Sequence, residues 1–236
     1  MFTVDRNQPR HYCDTANNRR FFSVHQVIAI LKPTDTHGKE AEFEAGRRIG
    51  KALHSYSAEL FASRDLGTAQ PLFPSGVYVP CDARAIKNCI GGINRFLKDH
   101  ATIRAIAYET IVPDIRRHYA GQIDLVAINR GLRGIEVIDW KTGAPVWTDR
   151  IQLVAYMALV HAPRGRLVYL NKQKGGYKVK KHFWEEERAA WVLFLSALNI
   201  LHWQEFKNPK GRPLCHPPNH KKSLTKRPLP QLGPIR

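Results

Sequence analysis

The sequence lacks any long apolar run. No stretch of about eighteen or more apolar residues occurs, which is the length that a helix needs to cross a membrane. The first ten residues are polar and contain no apolar segment of the kind that a signal peptide requires. We therefore expect a soluble, intracellular protein that does not associate with a membrane.

Cysteine is also scarce, and its positions argue against two ways of stabilising a small domain. The four cysteines, Cys13, Cys81, Cys89 and Cys215, are scattered, with no C-x-x-C pair and no histidine at zinc-finger spacing. We therefore predict free thiols rather than a disulfide framework or a structural zinc site.

Acidic residues are few relative to basic ones. The chain has 37 Lys and Arg against 20 Asp and Glu, a formal net charge of +17, and its pI is about 10.0. Such a balance attracts polyanions at long range, so nucleic acid is the expected partner. The alternative is a basic protein whose charge only keeps it in solution.

The composition predicts one large domain followed by a tail. Of the 236 residues 43% are hydrophobic and 10% aromatic, which is enough for a full core, and we assign the folded domain to residues 1–205. Beyond Phe206 the chain contains eight Lys or Arg, many Pro and no Asp or Glu. Residues 206–236 are therefore predicted to be a flexible basic tail that adds nonspecific phosphate affinity, with an ordered extension as the alternative.

The periodicity of the apolar residues predicts an α/β fold. Helical spacing occurs at 39–62, 83–100 (weakened by Gly91-Gly92), 148–161 (with Thr148 as N-cap) and 184–203. Strand patterns occur at 103–112, 119–129, 134–141, 166–171 and 177–181, with Gly175-Gly176 as the turn of the last pair. Residues 21–31 fit a short helix or strand, and 67–80 fit a loop. This order predicts a mixed central β-sheet with helices on its faces.

Two aspartates are predicted to face each other across a hairpin. If residues 130–133 form its loop, Asn129 lies opposite Gly134, and the same register sets Asp124 opposite Asp139. Facing residues of an antiparallel pair project to the same side, about 4.5–5.5 Å apart. Two carboxylates at that distance repel, so a divalent cation with oxygen ligands is the natural compensation.

A lysine joins this pair by strand alternation. Lys141 lies two residues after Asp139, so its ammonium group returns to the same face, about 6.6 Å along the strand. Phosphodiester hydrolysis needs a metal ion that polarises the phosphoryl oxygen and lowers the pKa of water, and a cation that holds this water. Glu109, on the preceding strand, is a candidate for another oxygen ligand or a water contact.

Three motifs in order carry a family resemblance. They are A-G-Q-I-D-L-V at 120–126, V-I-D-W-K-T-G at 137–143 and Q-L-V-A-Y at 152–156, preceded by His54 in G-K-A-L-H at 50–54. In this order and spacing they closely resemble the RecB-like nucleases of the PD-(D/E)XK superfamily, over roughly residues 46–160. The resemblance implies a restriction-endonuclease-like core, and so a nuclease domain over residues 1–205.

The resemblance also implies roles for single residues. Asp124 and Asp139, helped by the backbone carbonyl of Trp140, would bind Mg²⁺ or Mn²⁺, and Lys141 would position or activate the attacking water. His54 would be a further metal ligand or a phosphate contact.

Gln152 and Tyr156 are four residues apart and share one helix face. By the resemblance, Gln152 would brace Lys141 or the metal-associated water, and Tyr156 would touch the DNA backbone. Some relatives carry an iron-sulfur cluster, but only Cys215 lies in the region that would hold three of its ligands, so no cluster is expected.

Simpler interpretations exist for most of these residues. Asp124 and Asp139 could be surface carboxylates, although their apolar neighbours favour a partly buried position. A lone histidine such as His54 is more often solvated than a ligand. Trp184, Trp191 and Trp203 are spaced like a core stripe, and Glu136 should point away from Asp139.

The sequence therefore predicts a Mg²⁺- or Mn²⁺-dependent DNA nuclease, an exonuclease or end-processing enzyme with little sequence specificity. Its substrate would be DNA ends in recombination, repair or replication, with protein partners from such a system, as in phages. The alternatives are a catalytically silent nucleic-acid-binding module and an endonuclease acting on flaps or junctions. Strand polarity, the choice of single- or double-stranded DNA or RNA, and the oligomeric state stay open.

Overall fold

The computed structural model describes residues 2–5, 11–14, 16–17, 19–32, 40–66, 82–129, 131 and 134–207. In chain order the elements are β1 (Phe2–Asp5), β2 (His11–Asp14), β3 (Arg19–Ser23), α1 (Val24–Leu31), α2 (Glu40–Leu66), α3 (Ala83–Asp99), β4 (Ile103–Asp114), β5 (Tyr119–Asn129), β6 (Ile135–Lys141), α4 (Trp147–Leu159), β7 (Arg164–Leu170), β8 (Tyr177–Phe183) and α5 (Arg188–Lys207). The predicted loop at 67–80, part of the hairpin loop at 130–133, Cys81, and the tail from residue 208 with Cys215 lie outside the described residues.

One mixed sheet organises the strands. Its order is β1-β2-β3-β5-β6-β7-β8, with β4 paired to β5. The pairs β3–β5 and β6–β7 are parallel, and the other pairs are antiparallel. β4 accompanies β5 along its whole length, while β3 meets only the start of β5 and β6 only its later half. The predicted α/β class with a mixed central sheet is confirmed.

Helices cover both faces of this sheet, so the central strands are buried on both sides. Neighbouring residues of β6 illustrate this, because Val137 packs with the α1, α4 and α5 side and Ile138 with the α2 and α3 side. Both side chains are fully buried. Each such burial stabilises the fold by about 1.5–3 kcal/mol. As predicted, the side chain of Glu136 does not join Asp139. Its carboxylate accepts a hydrogen bond from the buried guanidinium of Arg166.

The predicted helix over 83–100 is confirmed as α3, and its glycine pair does not interrupt it. Gly91 is exposed, whereas Gly92 is buried against the turn between β7 and β8. A Cβ atom on Gly92 would lie 2.6 Å from the carbonyl oxygen of Gly176. Glycine at position 92 therefore lets α3 approach the sheet closely, and its lower helix propensity is offset by packing. The β7–β8 turn itself uses Gly175 and Gly176 at positive φ, as predicted.

Several predicted boundaries are wrong. α4 begins at Trp147, not after Thr148, because the carboxylate of Asp149 accepts the backbone N–H of Val146 at 3.1 Å and so caps the helix two residues earlier. α2 continues to Leu66, and residues 184–186 form a 3-10 turn before α5.

The predicted tryptophan stripe is only partly correct. Trp184 and Trp191 are partly buried and pack against the core of the sheet. Trp203, by contrast, is 58% exposed near the end of α5, where the ammonium of Lys207 lies 4.4 Å from its ring centroid. The three tryptophans do not share one buried face, since Trp184 lies in the 3-10 turn before α5 and Trp203 is exposed near the end of the helix.

The N-terminal region contains more structure than its polar composition indicates. Residues 21–31, for which helix and strand were alternatives, contain both, since β3 ends at Ser23 and α1 begins at Val24. Ser23 accepts the backbone N–H of Gln26 while the Gln26 side chain accepts that of Ser23, which is a capping box. None of the described helices is long and apolar enough to cross a membrane.

Candidate active site

Three acidic residues lie in one row across three adjacent strands. The β5–β6 register pairs Leu125 with Ile138, so the next step aligns Asp124 with Asp139, and the predicted hairpin register is confirmed. The β4–β5 register pairs Tyr108 with Leu125 and aligns Glu109 with Asp124 in the same way. We call Glu109, Asp124 and Asp139 the acidic row. All three side chains are buried.

The sheet is irregular at this row. No backbone pair joins Glu109 to Asp124, and the β5–β6 ladder begins only at Leu125. Glu109 has a φ of 45°, in the left-handed region that residues with a side chain seldom adopt. The backbone N–H of Trp140 donates instead to the Asp124 carboxylate, at 2.8 Å. The regular register of paired residues is therefore interrupted where the carboxylates meet, and backbone strain such as that at Glu109 is typical of functional sites.

A histidine from α2 completes one half of the site. His54 Nδ1 lies 2.8 Å from Glu109 Oε1 and 3.4 Å from Asp124 Oδ1. One potential ligand atom from each of these three residues lies within 4.8 Å of the others. Gln122, two residues before Asp124 on β5, donates to the second oxygen of Glu109 at 2.6 Å. The Glu109 carboxylate is thus held from both sides.

Lys141 occupies the other half of the site. Its Nζ lies 2.7 Å from Asp139 Oδ2 and donates to Gln152 Oε1 at 2.9 Å. Asp149 Oδ1 lies farther from the same ammonium, at 4.0 Å. Asp139, the third member of the acidic row, is therefore paired with a lysine, while His54 stands beside the first two.

The amide of Gln152 connects Lys141 to α4 and α1. Its Nε2 donates to the Tyr156 hydroxyl at 3.0 Å and lies 3.5 Å from both Asp139 Oδ1 and His25 Nε2. Tyr156 is only 1% exposed, so its expected contact with the DNA backbone is not possible in this conformation. We correct that expectation: Tyr156 supports Gln152 from the protein interior.

A glycine in the first motif makes room for this tyrosine. Gly121 on β5 faces the Tyr156 ring, and a Cβ atom on it would lie 2.6 Å from Tyr156 Cε1 and 2.9 Å from Cδ1. Atoms in ordinary contact are about 3.5–4.0 Å apart, so only glycine fits here without a shift. The motif glycine therefore positions Tyr156, and through it Gln152.

Burial and mutual repulsion shift the pKa values of the site. Burial raises the pKa of Asp139 to about 7, with Lys141 opposing and Asp124 adding to the shift. Burial likewise raises the pKa of Asp124. The Asp124 carboxylate is the main cause that raises the pKa of His54, to about 10. At neutral pH the acidic row therefore has two cations beside it, the imidazolium of His54 and the ammonium of Lys141.

A cleft gives access to these groups from solvent. It has a volume of about 210 Å³ and is lined by Gly50, Leu53, His54, Trp140, Lys141, Thr142 and Gly143. It therefore lies between α2 and the end of β6, where His54 and Lys141 both line its wall.

The chain matches a model of a known protein family. The model described as the PD-(D/E)XK nuclease superfamily matches residues 23–216, well over half of the chain. The chain belongs to the PD-(D/E)XK nuclease superfamily. Membership of this superfamily supports nuclease activity on DNA.

Solved structures of exonucleases align with much of this superfamily member at low similarity. LHK-Exo in complex with dAMP is 13% identical with a TM-score of 0.45, over 80% of this chain and 92% of that chain. A second structure, of the alkaline exonuclease LHK-Exo from Laribacter hongkongensis, is 12% identical with a TM-score of 0.41, over 82% of this chain and 94% of that chain. A phage related exonuclease from Haemophilus somnus 129PT is 13% identical with a TM-score of 0.37, over 79% of this chain and 93% of that chain. No curated protein sequence matches the chain.

The donor set of this PD-(D/E)XK site fits a divalent cation. His54, Glu109 and Asp124 offer one imidazole nitrogen and two buried carboxylates at close range. Carboxylate oxygens suit Mg²⁺ and Mn²⁺, and buried carboxylates in one row require a compensating positive charge. Glu109 and His54, which were candidate ligands, lie beside Asp124. Asp139, an expected ligand, instead contacts Lys141.

Three residues of the site were not identified from the sequence. Gln122 shares a strand face with Asp124 at a spacing of two, so strand alternation could have indicated it. Asp149 lies three residues before Gln152 on α4, a spacing that also places both on one helix face. His25 comes from α1, far from Gln152 in sequence, and no motif in the sequence connects the two.

Proposed function

We propose that the chain is a metal-dependent deoxyribonuclease that hydrolyses phosphodiester bonds at the acidic row. The observation that carries this proposal is the convergence of His54, Glu109 and Asp124 within 4.8 Å. The pair formed by Lys141 and Asp139 lies beside them, at 2.7 Å, in a member of a nuclease superfamily.

Mg²⁺ or Mn²⁺ would be held by Asp124, Glu109 and His54, with Asp139 and the backbone carbonyl of Trp140 as further oxygen donors. Such an ion polarises the phosphoryl oxygen and makes water a better nucleophile at neutral pH. His54 is protonated at neutral pH, with a pKa of about 10, so it would lose its proton to serve as a ligand. No iron-sulfur cluster is part of the proposal.

Lys141 would hold the attacking water and stabilise the charge that develops on the phosphoryl oxygens. Although burial opposes it, the carboxylates of Asp139, Asp124 and Asp149 raise the pKa of Lys141, so the group stays charged. Gln152 accepts a bond from the Lys141 ammonium and donates to Tyr156, which fixes the direction of the ammonium. Lys141 would therefore contact the reacting atoms, and Gln152 and Tyr156 would position it.

The mode of action that we propose is that of an exonuclease or end-processing enzyme of the RecB-like branch. The order of the three motifs supports the branch. The net charge of +17 supports binding to the phosphate backbone with little dependence on base sequence. DNA ends in recombination, repair or replication are the proposed substrates. Residues 206–236 would add nonspecific affinity for phosphates as a basic tail outside the nuclease domain.

A cleavage assay with site variants tests the proposed activity. End-labelled linear DNA is incubated with Mg²⁺, Mn²⁺ or a chelator, and Lys141→Ala and Asp139→Asn are compared with the wild type. We expect each variant to cleave at least about 100-fold more slowly, because each loses a group that acts in the transition state. Lys178→Ala, which removes an exposed lysine from β8, is the matched control and should keep full activity.

Binding measured on the same variants separates a nuclease from a silent binding module. A wild-type protein that binds DNA and leaves it intact with either metal would contradict the proposed activity. The mode of cleavage is tested with circular single-stranded DNA, which has no ends. An exonuclease leaves the circle intact and degrades the linearised strand, whereas cutting of the circle would show endonuclease activity.

A further inference from the structure

A second concave surface lies on the side of the fold where α2, α3 and β4 meet. It has a volume of about 450 Å³ and is lined by Phe61, Arg64, Leu97, Ala101, Thr102, Ile103, Arg104 and Ala105. We call it the α2–β4 groove. Phe61 and Leu97 are buried and form an apolar floor, while Arg64 and Arg104 are exposed at its rim.

The positive charges of the two arginines in the groove are not neutralised by described acidic side chains. Among the residues that the structure describes, no acidic side chain lines the groove. Neither Arg64 nor Arg104 forms an ion pair with a carboxylate in the part of the chain that the structure describes. Guanidinium groups present a planar set of donors that matches the oxygens of a phosphate. The groove is therefore suited to an anion that extends along a surface.

The groove and the acidic row share two elements. α2 carries His54 into the site and Arg64 to the groove, and β4 carries both Glu109 and Arg104. Arg64 follows His54 by ten residues, about 15 Å along a helix, and Arg104 precedes Glu109 by five residues, about 16 Å along a strand. Along duplex DNA, where each strand advances about 3.4 Å per nucleotide, this corresponds to roughly four or five nucleotides from the acidic row.

We propose that the α2–β4 groove binds the phosphate backbone of the nucleic acid substrate, a few nucleotides away from the bond that is cleaved. The inference rests on the proposed function, because it takes a nucleic acid as the ligand. It adds a location and two residues, Arg64 and Arg104, that none of the sequence motifs includes. Charge complementarity favours this ligand, since the groove has two cations and the whole chain carries +17.

Salt-dependent binding tests the groove directly. Affinity for a 20-nucleotide single strand is measured at several salt concentrations for wild type and for Arg64→Ala/Arg104→Ala. Each lost phosphate contact lowers the slope of log affinity against log salt by about 0.7, so the double variant should lose about 1.4. The matched control is Arg116→Ala/Arg188→Ala, which removes two exposed arginines after β4 and at the start of α5 and should change the slope little.

The outcomes of this measurement decide the inference. An unchanged slope in the groove variant would overturn it. An equal fall in the control would also overturn it, because the effect would then reflect net charge alone. Arg64→Lys/Arg104→Lys should retain the wild-type slope, and this variant also shows that the positions tolerate substitution. Loss of the slope in the lysine variant as well would argue for a folding defect, which a thermal melt would detect.

Substrate length separates failure of the groove from failure of the proposed activity. On the 20-nucleotide strand we expect Arg64→Ala/Arg104→Ala to raise KM about tenfold and to leave kcat within about twofold of wild type. On the p-nitrophenyl ester of thymidine 5′-phosphate, which is too short to reach the groove, both constants should equal those of the wild type. A wild-type protein that cleaves neither substrate would refute the proposed activity, and the binding slopes would still decide whether the groove holds DNA.

Discussion

Replacing Gly121 with alanine tests whether the interior of the protein controls the site. The new Cβ would lie 2.6 Å from Tyr156 Cε1, 2.9 Å from Cδ1 and 3.1 Å from Leu159 Cδ1. An ordinary carbon contact is about 3.5–4.0 Å, so the methyl group overlaps the ring by about 1 Å. Tyr156 is fully buried and cannot swing into solvent, so either β5 or α4 must shift.

The expected loss of stability follows from this overlap. A methyl group forced into a packed core costs about 1–3 kcal/mol. For a chain of this size each kcal/mol lowers Tm by about 2–4 °C, so Gly121→Ala should melt about 2–12 °C below wild type. Gln152 donates to the Tyr156 hydroxyl and accepts from Lys141, so the same shift should also misdirect the ammonium.

Two assays on the same variant check this reasoning. Thermal unfolding followed by tryptophan fluorescence gives Tm, and kcat is measured on linear DNA at a temperature where both proteins are folded. We expect kcat to fall by about tenfold or more, since a misplacement near 1 Å can cost about 100-fold. The control is Gly46→Ala in α2, outside the cleft, where a Cβ would meet nothing within 4 Å. A Gly121→Ala protein with the wild-type Tm and kcat would refute the packing argument.

Three further predictions concern the helix glycines, His54 and Tyr156. Gly92→Ala should lower the free energy of unfolding by about 1–3 kcal/mol because its Cβ meets a carbonyl oxygen at 2.6 Å, whereas Gly91→Ala, with open space, should raise it by about 0.5–1 kcal/mol in denaturant unfolding. The pKa of His54 is raised to about 10, so its contribution to the stability of the metal-free protein should be complete below about pH 6.5 and lost as pH rises toward 10. Unfolding at several pH values should show this fall, and His54→Gln should remove it. Tyr156→Phe deletes the hydroxyl that accepts from Gln152 and should lower kcat by less than about tenfold with KM unchanged; a change in KM alone would instead indicate a substrate contact.

The hairpin and its carboxylates were predictable because their determinants are local. Strand alternation and a loop of four residues set the register, and that register alone aligned Asp124 with Asp139. Lys141 followed from a spacing of two. The sequence did not reveal that Asp139 would pair with Lys141 while His54 and Glu109 approach Asp124, since these distances depend on the crossing of α2 over the sheet.

Other features depend on contacts between distant segments and left no local pattern. β1 and β2 are short strands in a polar segment. They form because β1 pairs with β2 and β2 pairs with β3. The burial of Tyr156 depends on Gly121, 35 residues earlier, so the helix face that it shares with Gln152 did not distinguish an interior role from contact with DNA. His25 reaches Gln152 only because α1 packs against α4.

At Glu109 the requirements of stability and of ligand binding conflict, because its left-handed backbone is strained while its carboxylate belongs to the site. Glycine or asparagine would adopt this conformation with less strain, a difference of about 1–3 kcal/mol, but neither supplies the carboxylate that meets His54. A screen that selects only for thermal stability would therefore favour substitutions at position 109 that remove the carboxylate from the site. Engineering of a more robust form should keep this residue fixed and seek its gains elsewhere in the chain.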